Sequence, residues 1–347
     1  MKNTSNLIRV GITFLCLIFF FIYGVYALFL RPQAKKSGIE YNNVFAPVSE
    51  ENSKKEVAAK TVSNTAAKSA AAVSASGGEA LGKVIKRTIT GSSANLSGSG
   101  VHLKNSTGLK IDIKALLSGK LGYTIKKNDS VQVLILHTHA TESFLSEDRD
   151  SYTASDKSRT TNNAFNVTAL GAIVAEKLNG AGIKTLHDTT QHDYPSYNQS
   201  YYRAAKTIRS YLKKHPSIKV VIDIHRDSVQ SGSTKTKLTA DINGKTAAQV
   251  MLVMGSQSGS VKNFPNWKEN LKLALRLQKN IEADYPDLAR PLSLMSRSYN
   301  ERLTTGSMLI EIGTEANSLD EVKYSSELLS NSLIKTLGSQ KNEKNKD

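Results

Sequence analysis

VQVLILHTHATESF (residues 131–144) changes character in the middle. Residues 131–136 form a short, nearly unbroken run of branched apolar side chains, which predicts a strand buried on both faces. The stretch then turns polar and presents His137, His139 and Glu142 just past the strand end. Two later stretches repeat the design. IKVVIDIHRDS (218–228) predicts a second buried strand delivering His225, Arg226 and Asp227, and MLIEIGTE (308–315) a third delivering Glu311 and Glu315. Apolar residues at helical spacing between these strands predict helices over 163–178, 201–212, 266–283 and 319–337. A hairpin is expected across 237–254, with Asn243-Gly244 at its turn. Strands alternating with helices predict an α/β fold, a sheet covered on both faces, with its site at the carboxyl ends of the strands.

Upstream the pattern is different. Residues 10–30, VGITFLCLIFFFIYGVYALFL, hold no charge. A helix of that length reaches about 30 Å, the thickness of a bilayer's hydrocarbon core. The apolar run is too long for a cleaved signal peptide, whose core spans ~7–15 residues, so a single uncleaved transmembrane anchor within 1–36 is expected. The N-terminal stub is then cytoplasmic and the remainder extracytoplasmic. Residues 37–100 are rich in Ala, Ser, Lys, Gly and Thr, with few bulky apolar groups to offset ordering entropy, and read as a flexible linker. The folded domain is expected over 101–338, followed by a charged tail over 339–347. Of 347 residues, 39% are hydrophobic and 22% charged, which excludes a mostly disordered chain and a polytopic membrane protein. The net charge of +16 calls for an anionic partner. No basic-aromatic interleaving supports nucleic acid. The single cysteine, Cys16, excludes an intrachain disulfide and cysteine-rich zinc modules.

Neutral imidazole and carboxylate are zinc ligands, and a catalytic zinc takes three from the protein. His139 and Glu142 form an H-x-x-E pair that a tight turn can close on one ion, with His225 arriving from the neighbouring strand. Glu311 is left to act as general base. His137 and His139 can share one side of the chain. The Glu142 spacing favours His139 as ligand, and the other imidazole can orient water or steady an oxyanion. Arg226 and Asp227 can form a local ion pair or clamp a substrate carboxylate. Asp223, two residues before His225, can support that imidazole or merely serve the strand end. SRSYNERLTTGS (296–307) reads as a polar loop or a groove wall, with Arg297, Tyr299, Asn300 and Arg302 available to a substrate.

HTHATESF, VIDIHRDS and LIEIGTEANSLDE, behind one apolar span and a low-complexity tether, together resemble the stage II sporulation protein P family. The resemblance implies a membrane-anchored peptidoglycan hydrolase of endospore formers. It also implies an α/β sandwich similar to the zinc N-acetylmuramoyl-L-alanine amidases. Their motifs carry over at His139, His225 and Glu311. The amidase Glu at a helix start has no counterpart near Asn163, and Glu142 stands in for it. The implied chemistry is cleavage of the lactyl–L-alanine amide, with cross-link endopeptidase activity besides, at the septum and engulfing membrane. Glu311 would take and return the proton, and His137 or Arg226 would steady the oxyanion. The implied partners are peptidoglycan and the sporulation stage II proteins D and M. From the residues alone two rivals stand: a barrel-type metal-dependent hydrolase, in which H-x-H closes the first strand, and a non-catalytic, membrane-tethered wall-binding or scaffold module.

Overall fold

The computed structural model describes residues 79–338, along which thirteen strands alternate with five α-helices. In chain order they are β1 (Ala80–Arg87), β2 (Leu96–Gly98), β3 (Val101–Asn105), α1 (Ile113–Ser118), β4 (Val133–Leu136) and β5 (Ser151–Thr153). α2 (Val167–Gly180), β6 (Thr185–His187), α3 (Ser200–Lys214), β7 (Val220–Asp227), β8 (Gln230–Ser231) and β9 (Thr234–Ile242) follow. β10 (Lys245–Ala248), β11 (Val250–Gly255), α4 (Trp267–Asp284), β12 (Leu292–Met295), β13 (Ser307–Thr314) and α5 (Leu319–Gly338) complete the described chain.

Eight strands form the main sheet in the order β2-β3-β12-β11-β13-β7-β4-β6. Its site-bearing part, β13-β7-β4-β6, is parallel throughout, while β11 runs antiparallel to β13. All four residues of β4 are buried, as its branched apolar run requires. Alternation along the strands sorts their side chains to two faces. Val133 and Ile135 of β4 join Val220, Ile222 and Ile224 of β7 in the larger core, together with Leu170 and Val174 of α2 and residues of α4 and α5. Leu134 and Leu136 instead meet Val221 of β7 with Ala204 and Ile208 of α3. Helices therefore cover both faces, and each buried Leu, Ile or Val contributes roughly 1.5–3 kcal/mol. Asn243-Gly244 makes the expected tight turn, joining β9 to β10 with φ of 52° and 76° at its two positions.

A second, five-stranded sheet was not legible. β1 sits at its centre, parallel to β9 and antiparallel to β5, with β10 and β8 also bound to β9. This corrects the expected linker, since residues 80–100 hold β1 and β2. Strand pairing runs through backbone groups, so β1 needs little apolar surface of its own. Val84 is buried against Leu145, Tyr152 and Ala316 while its lysine neighbours face outward. The expected anchor at 10–30, the rest of the linker and the tail at 339–347 lie outside the described residues. Among the described residues no helix is long and apolar enough to cross a membrane.

Glu301 lies in a short 3-10 turn before β13 and is 2% exposed. One carboxylate oxygen accepts the Gly255 N–H at 2.9 Å. Burial outweighs that bond and pushes the carboxyl well above the usual glutamate range. The sign follows from linkage. A carboxyl raised in the folded state is fully compatible with stability below its unfolded pKa, and it costs stability as pH rises through the window up to its folded value. Glu301→Gln is therefore expected to gain stability over the parent as pH rises from 4 to 8, with the two converging near pH 4. Urea midpoints across that range measure it, and an unchanged difference would contradict it.

Candidate active site

His137 continues the alternation of β4 and so points to the face of Val133 and Ile135. Its ring is fully buried, with Nδ1–H donating to the Ile224 carbonyl at 2.9 Å and Nε2 2.8 Å from Nε2 of His187. Gly171 of α2 closes over this pair, and a methyl there would stand 2.6 Å from both Nε2 atoms. Burial first, and His187 second, push the His137 pKa down to about 3. The structure does not bring His137 to the other site residues. A neutral imidazole locked between α2 and β7 on the opposite face cannot steady an oxyanion, which corrects that expectation.

His139 escapes the alternation because the chain turns immediately after His137. Glu142 N–H donates to the His139 carbonyl at 3.2 Å, and this turn swings both side chains toward the face of α3. Asp223 and His225, of the opposite parity to Ile222 and Ile224, point the same way. Glu311 joins them because β13 pairs with β7 in parallel register, Glu311 opposite His225. That register breaks between Glu311 and Thr314, where Gly313 takes φ of 67°.

His139, Glu142 and His225 are all buried, and one ligand atom from each lies within 4.8 Å of the others. Glu142 Oε1 is 3.4 Å from Nδ1 of His139, and Oε2 is 3.3 Å from Nδ1 of His225. These gaps exceed a good N–H···O bond of ~2.7–3.2 Å. They match the edge, about 3.3 Å, of a tetrahedron whose metal–ligand bonds are ~2.0–2.1 Å. The far nitrogens have other neighbours: Nε2 of His225 is 2.9 Å from Asp223 Oδ1, and Nε2 of His139 is 3.1 Å from Ser200 Oγ. Asp223 is itself fixed by the Thr138 N–H and hydroxyl, at 2.8 and 2.5 Å. An imidazole oriented by a carboxylate behind it is the usual support of a metal ligand. The residues therefore fit a divalent metal of the zinc type.

The charges agree. Burial pushes Glu142 up, but the His139 and His225 imidazoles outweigh it and hold the carboxyl well below its usual range. Burial pushes His225 down, yet Asp223 and Glu142 reverse this and raise it well above 6.5. The two carboxylates thus favour the protonated form of His225, and a cation bound there would take over that charge and displace the proton. Burial and then Asp227 push the Glu311 pKa up to about 8, and Glu142 adds to this against His225 and Arg290. Glu311 Oε2 is buried without a hydrogen-bond partner among the described residues. Such an oxygen is costly to keep and is free to exchange a proton.

Arg226 is corrected on its three readings, as ion-pair partner of Asp227, as carboxylate clamp and as oxyanion donor. Its Nε and Nη2 each donate at 2.7 Å, to the carbonyls of Ser143 and Ser158, and Nη1 donates to Asp227 O at 3.1 Å. The guanidinium staples the turn carrying Glu142 to β7, and its backbone N–H donates to Glu142 Oε2 at 3.2 Å. It does not clamp a substrate. Asp227 takes its ion pair from Arg290, two bonds of 2.8 Å to Oδ2. Glu315 is likewise structural, bound by the Ser228 hydroxyl and Lys235.

Several site neighbours left no mark in the sequence. Tyr197 stacks on His139 with centroids 4.6 Å apart, and the Arg159 guanidinium lies 4.8 Å from the centroid of the Tyr197 ring. Arg159 also approaches Glu142 Oε1 at 3.7 Å and binds Asp193 at 2.6 Å. Arg297, Tyr299 and Asn300 line a cavity of about 530 Å³ with residues of α3, including Tyr201. Tyr201 ties that cavity to the cluster, its ring 5.5 Å from His139 and 6.4 Å from Tyr299.

Residues 28–334 match the family described as Stage II sporulation protein P. The chain belongs to that family. It is 31% identical over 206 residues to stage II sporulation protein P of Bacillus subtilis (strain 168), covering 56% of this chain and 48% of the relative. The chain thus matches about half the length of that curated relative. Among solved structures it is similar to the apo N-acetylmuramyl-L-alanine amidase Ami1 of Mycobacterium abscessus, with 10% identity and a TM-score of 0.35 over 61% of this chain and 100% of that one. It is also similar to the CwlD amidase of Clostridioides difficile in complex with the GerS lipoprotein, with 12% identity and a TM-score of 0.38 over 60% and 98%. Overlaps of this size leave the site to be argued from its own residues.

Proposed function

We propose that this protein is a membrane-anchored, zinc-dependent peptidoglycan hydrolase of sporulation. Its bond is the amide between the muramoyl lactyl group and L-alanine, with peptide cross-links as a second target. The reading is carried by one observation: His139, Glu142 and His225 converge on one point, with the unpartnered Glu311 oxygen on the adjacent strand. Zinc held by those three ligands supplies Lewis acidity toward the amide carbonyl and lowers the pKa of water. With a dication beside it, Glu311 is favoured again as carboxylate. Glu311 then takes the proton of the attacking water on Oε2 and delivers it to the amide nitrogen as the carbon–nitrogen bond breaks. Asp223 and Ser200 hold the two imidazoles in orientation, and Arg226 keeps the Glu142 turn against β7. Membrane location, sporulation proteins D and M as partners, and work at the septum and engulfing membrane belong to the same proposal.

The test is mass spectrometry of fragments that the full chain releases from purified peptidoglycan. Free stem peptides are expected, lost on chelation and restored by zinc, and muropeptides freed of cross-links would report the second activity. Release that ignores chelator overturns the metal mechanism. No release with zinc present returns the chain to a wall-binding module.

A further inference from the structure

We propose that the cavity beside the cluster is a subsite for free carboxylates on the peptide limb of the substrate. This rests on the reading above and names what that site selects. The cavity, about 530 Å³, lies between α3 and the loop before β13. Arg209, Arg297 and Arg302 all line it, and no Asp or Glu does. Lys206 of α3 lies 4.5 Å over the ring of Tyr202, which lines the cavity. Elsewhere near the site arginines are neutralised, Arg159 by Asp193 and Arg290 by Asp227. Among the described residues no carboxylate lies within ion-pair distance of Arg209, Arg297 or Arg302. Like charges gathered at one hollow raise its potential and favour an anion brought by a ligand. A planar guanidinium fork matches a carboxylate in particular.

The backbone holds the arrangement at some cost. Tyr299 and Asn300 adopt φ of 43° and 62° in succession, a left-handed pair that non-glycine residues rarely take. The Asn300 side chain donates to the Tyr201 carbonyl at 2.8 Å and fastens this turn to α3. The strained turn thereby carries Arg297 and Arg302 on its two flanks toward Arg209 of α3. Tyr201 lines the cavity and also meets the His139 ring edge-on, with centroids 5.5 Å apart. Tyr201 is the neighbour that the cavity and the cluster share, so a chain whose amide lies at the cluster would meet the cavity across that ring. In a peptidoglycan repeat the negative charge sits on the peptide carboxylates, while sugar hydroxyls are neutral. The cavity therefore takes the peptide limb and reads its charge.

The experiment uses calorimetric binding of soluble muramoyl peptides to the full chain with chelator present, so that no turnover intrudes. One peptide carries free carboxylates, and its twin carries carboxamides at the same positions. Tighter binding of the free form by about tenfold is expected at low salt, shrinking as ionic strength rises. In Arg297→Gln and in Arg302→Gln, made separately and checked for unchanged thermal unfolding, the preference is expected to fall to within about twofold of unity. Equal binding of the two peptides by the parent overturns the proposal, as does a preference retained in both variants. A glycerol-phosphate oligomer that competes as strongly as the free peptide also overturns it, assigning the cavity to phosphate polymers. Because binding is read without cleavage, a chain that discriminates but never cleaves keeps the subsite and loses the hydrolase reading. A chain that cleaves both twins equally does the reverse.

Discussion

Glu311→Gln is expected to lower kcat for release of stem peptides by about 10²–10⁴-fold, the range for loss of a positioned general base. The substitution keeps the shape of the side chain and removes its basicity. Glu311 is not among the three ligands, so bound zinc should stay at the parent's stoichiometry. KM should change little, since the lost interaction belongs to proton transfer in the transition state. Peptidoglycan digestion and elemental analysis on the same preparation separate the possibilities. Lost zinc together with lost activity would make Glu311 a ligand. Retained activity would move the base elsewhere and undo the assignment.

Glu142→Ala should act on the metal itself. Each Glu142 oxygen faces one of the two imidazoles, at 3.4 and 3.3 Å, so the carboxylate closes the triangle. Changes behind a ligand already weaken metal binding by 10–100-fold, and loss of a ligand should exceed that, to about 10³-fold or more. The parent should unfold at higher temperature when zinc is added, because zinc binds only the folded state, and the variant should show no such rise. His225 would also lose one of the two carboxylates that keep it protonated. Undiminished zinc in Glu142→Ala would mean that the cluster is not the metal site. An equal rise in unfolding temperature for both chains would say the same.

Legibility followed the range of the forces involved. The strands ending at Leu136, Asp227 and Thr314 announced themselves through local composition, because a strand buried on both faces must be apolar along most of its length. The carboxyl-end location of the site followed from the strand-helix alternation. Glu142 was legible from its three-residue spacing to His139, since a turn is also a local event. β1 and β5 were not legible: their pairing joins residues 80–87 to 151–153 and 234–238 through backbone groups that carry no side-chain signature. Arg159 was invisible for the same reason, since its segment pairs with Glu142 through a backbone bridge, and Tyr197 and Ser200 come close to the cluster only after α3 has packed on β4 and β7.

His137 and Arg226 mark the boundary. Both stand in motifs that looked catalytic, and both became structural for reasons of orientation. A strand sends neighbouring side chains to opposite faces, and only the position of the turn after β4 decides that His137 goes to α2 while His139 goes to α3. Arg226 has its donors directed to three carbonyls by the folding of the Glu142 turn onto β7. Sequence by itself determined which chemical groups reach the carboxyl ends of three buried strands, because hydrophobic patterning and spacing act along the chain. Tertiary structure alone decided which of those groups share a face and which neighbours hold them. A metal site is a set of distances across strands, and such distances exist only once the sheet has taken its register.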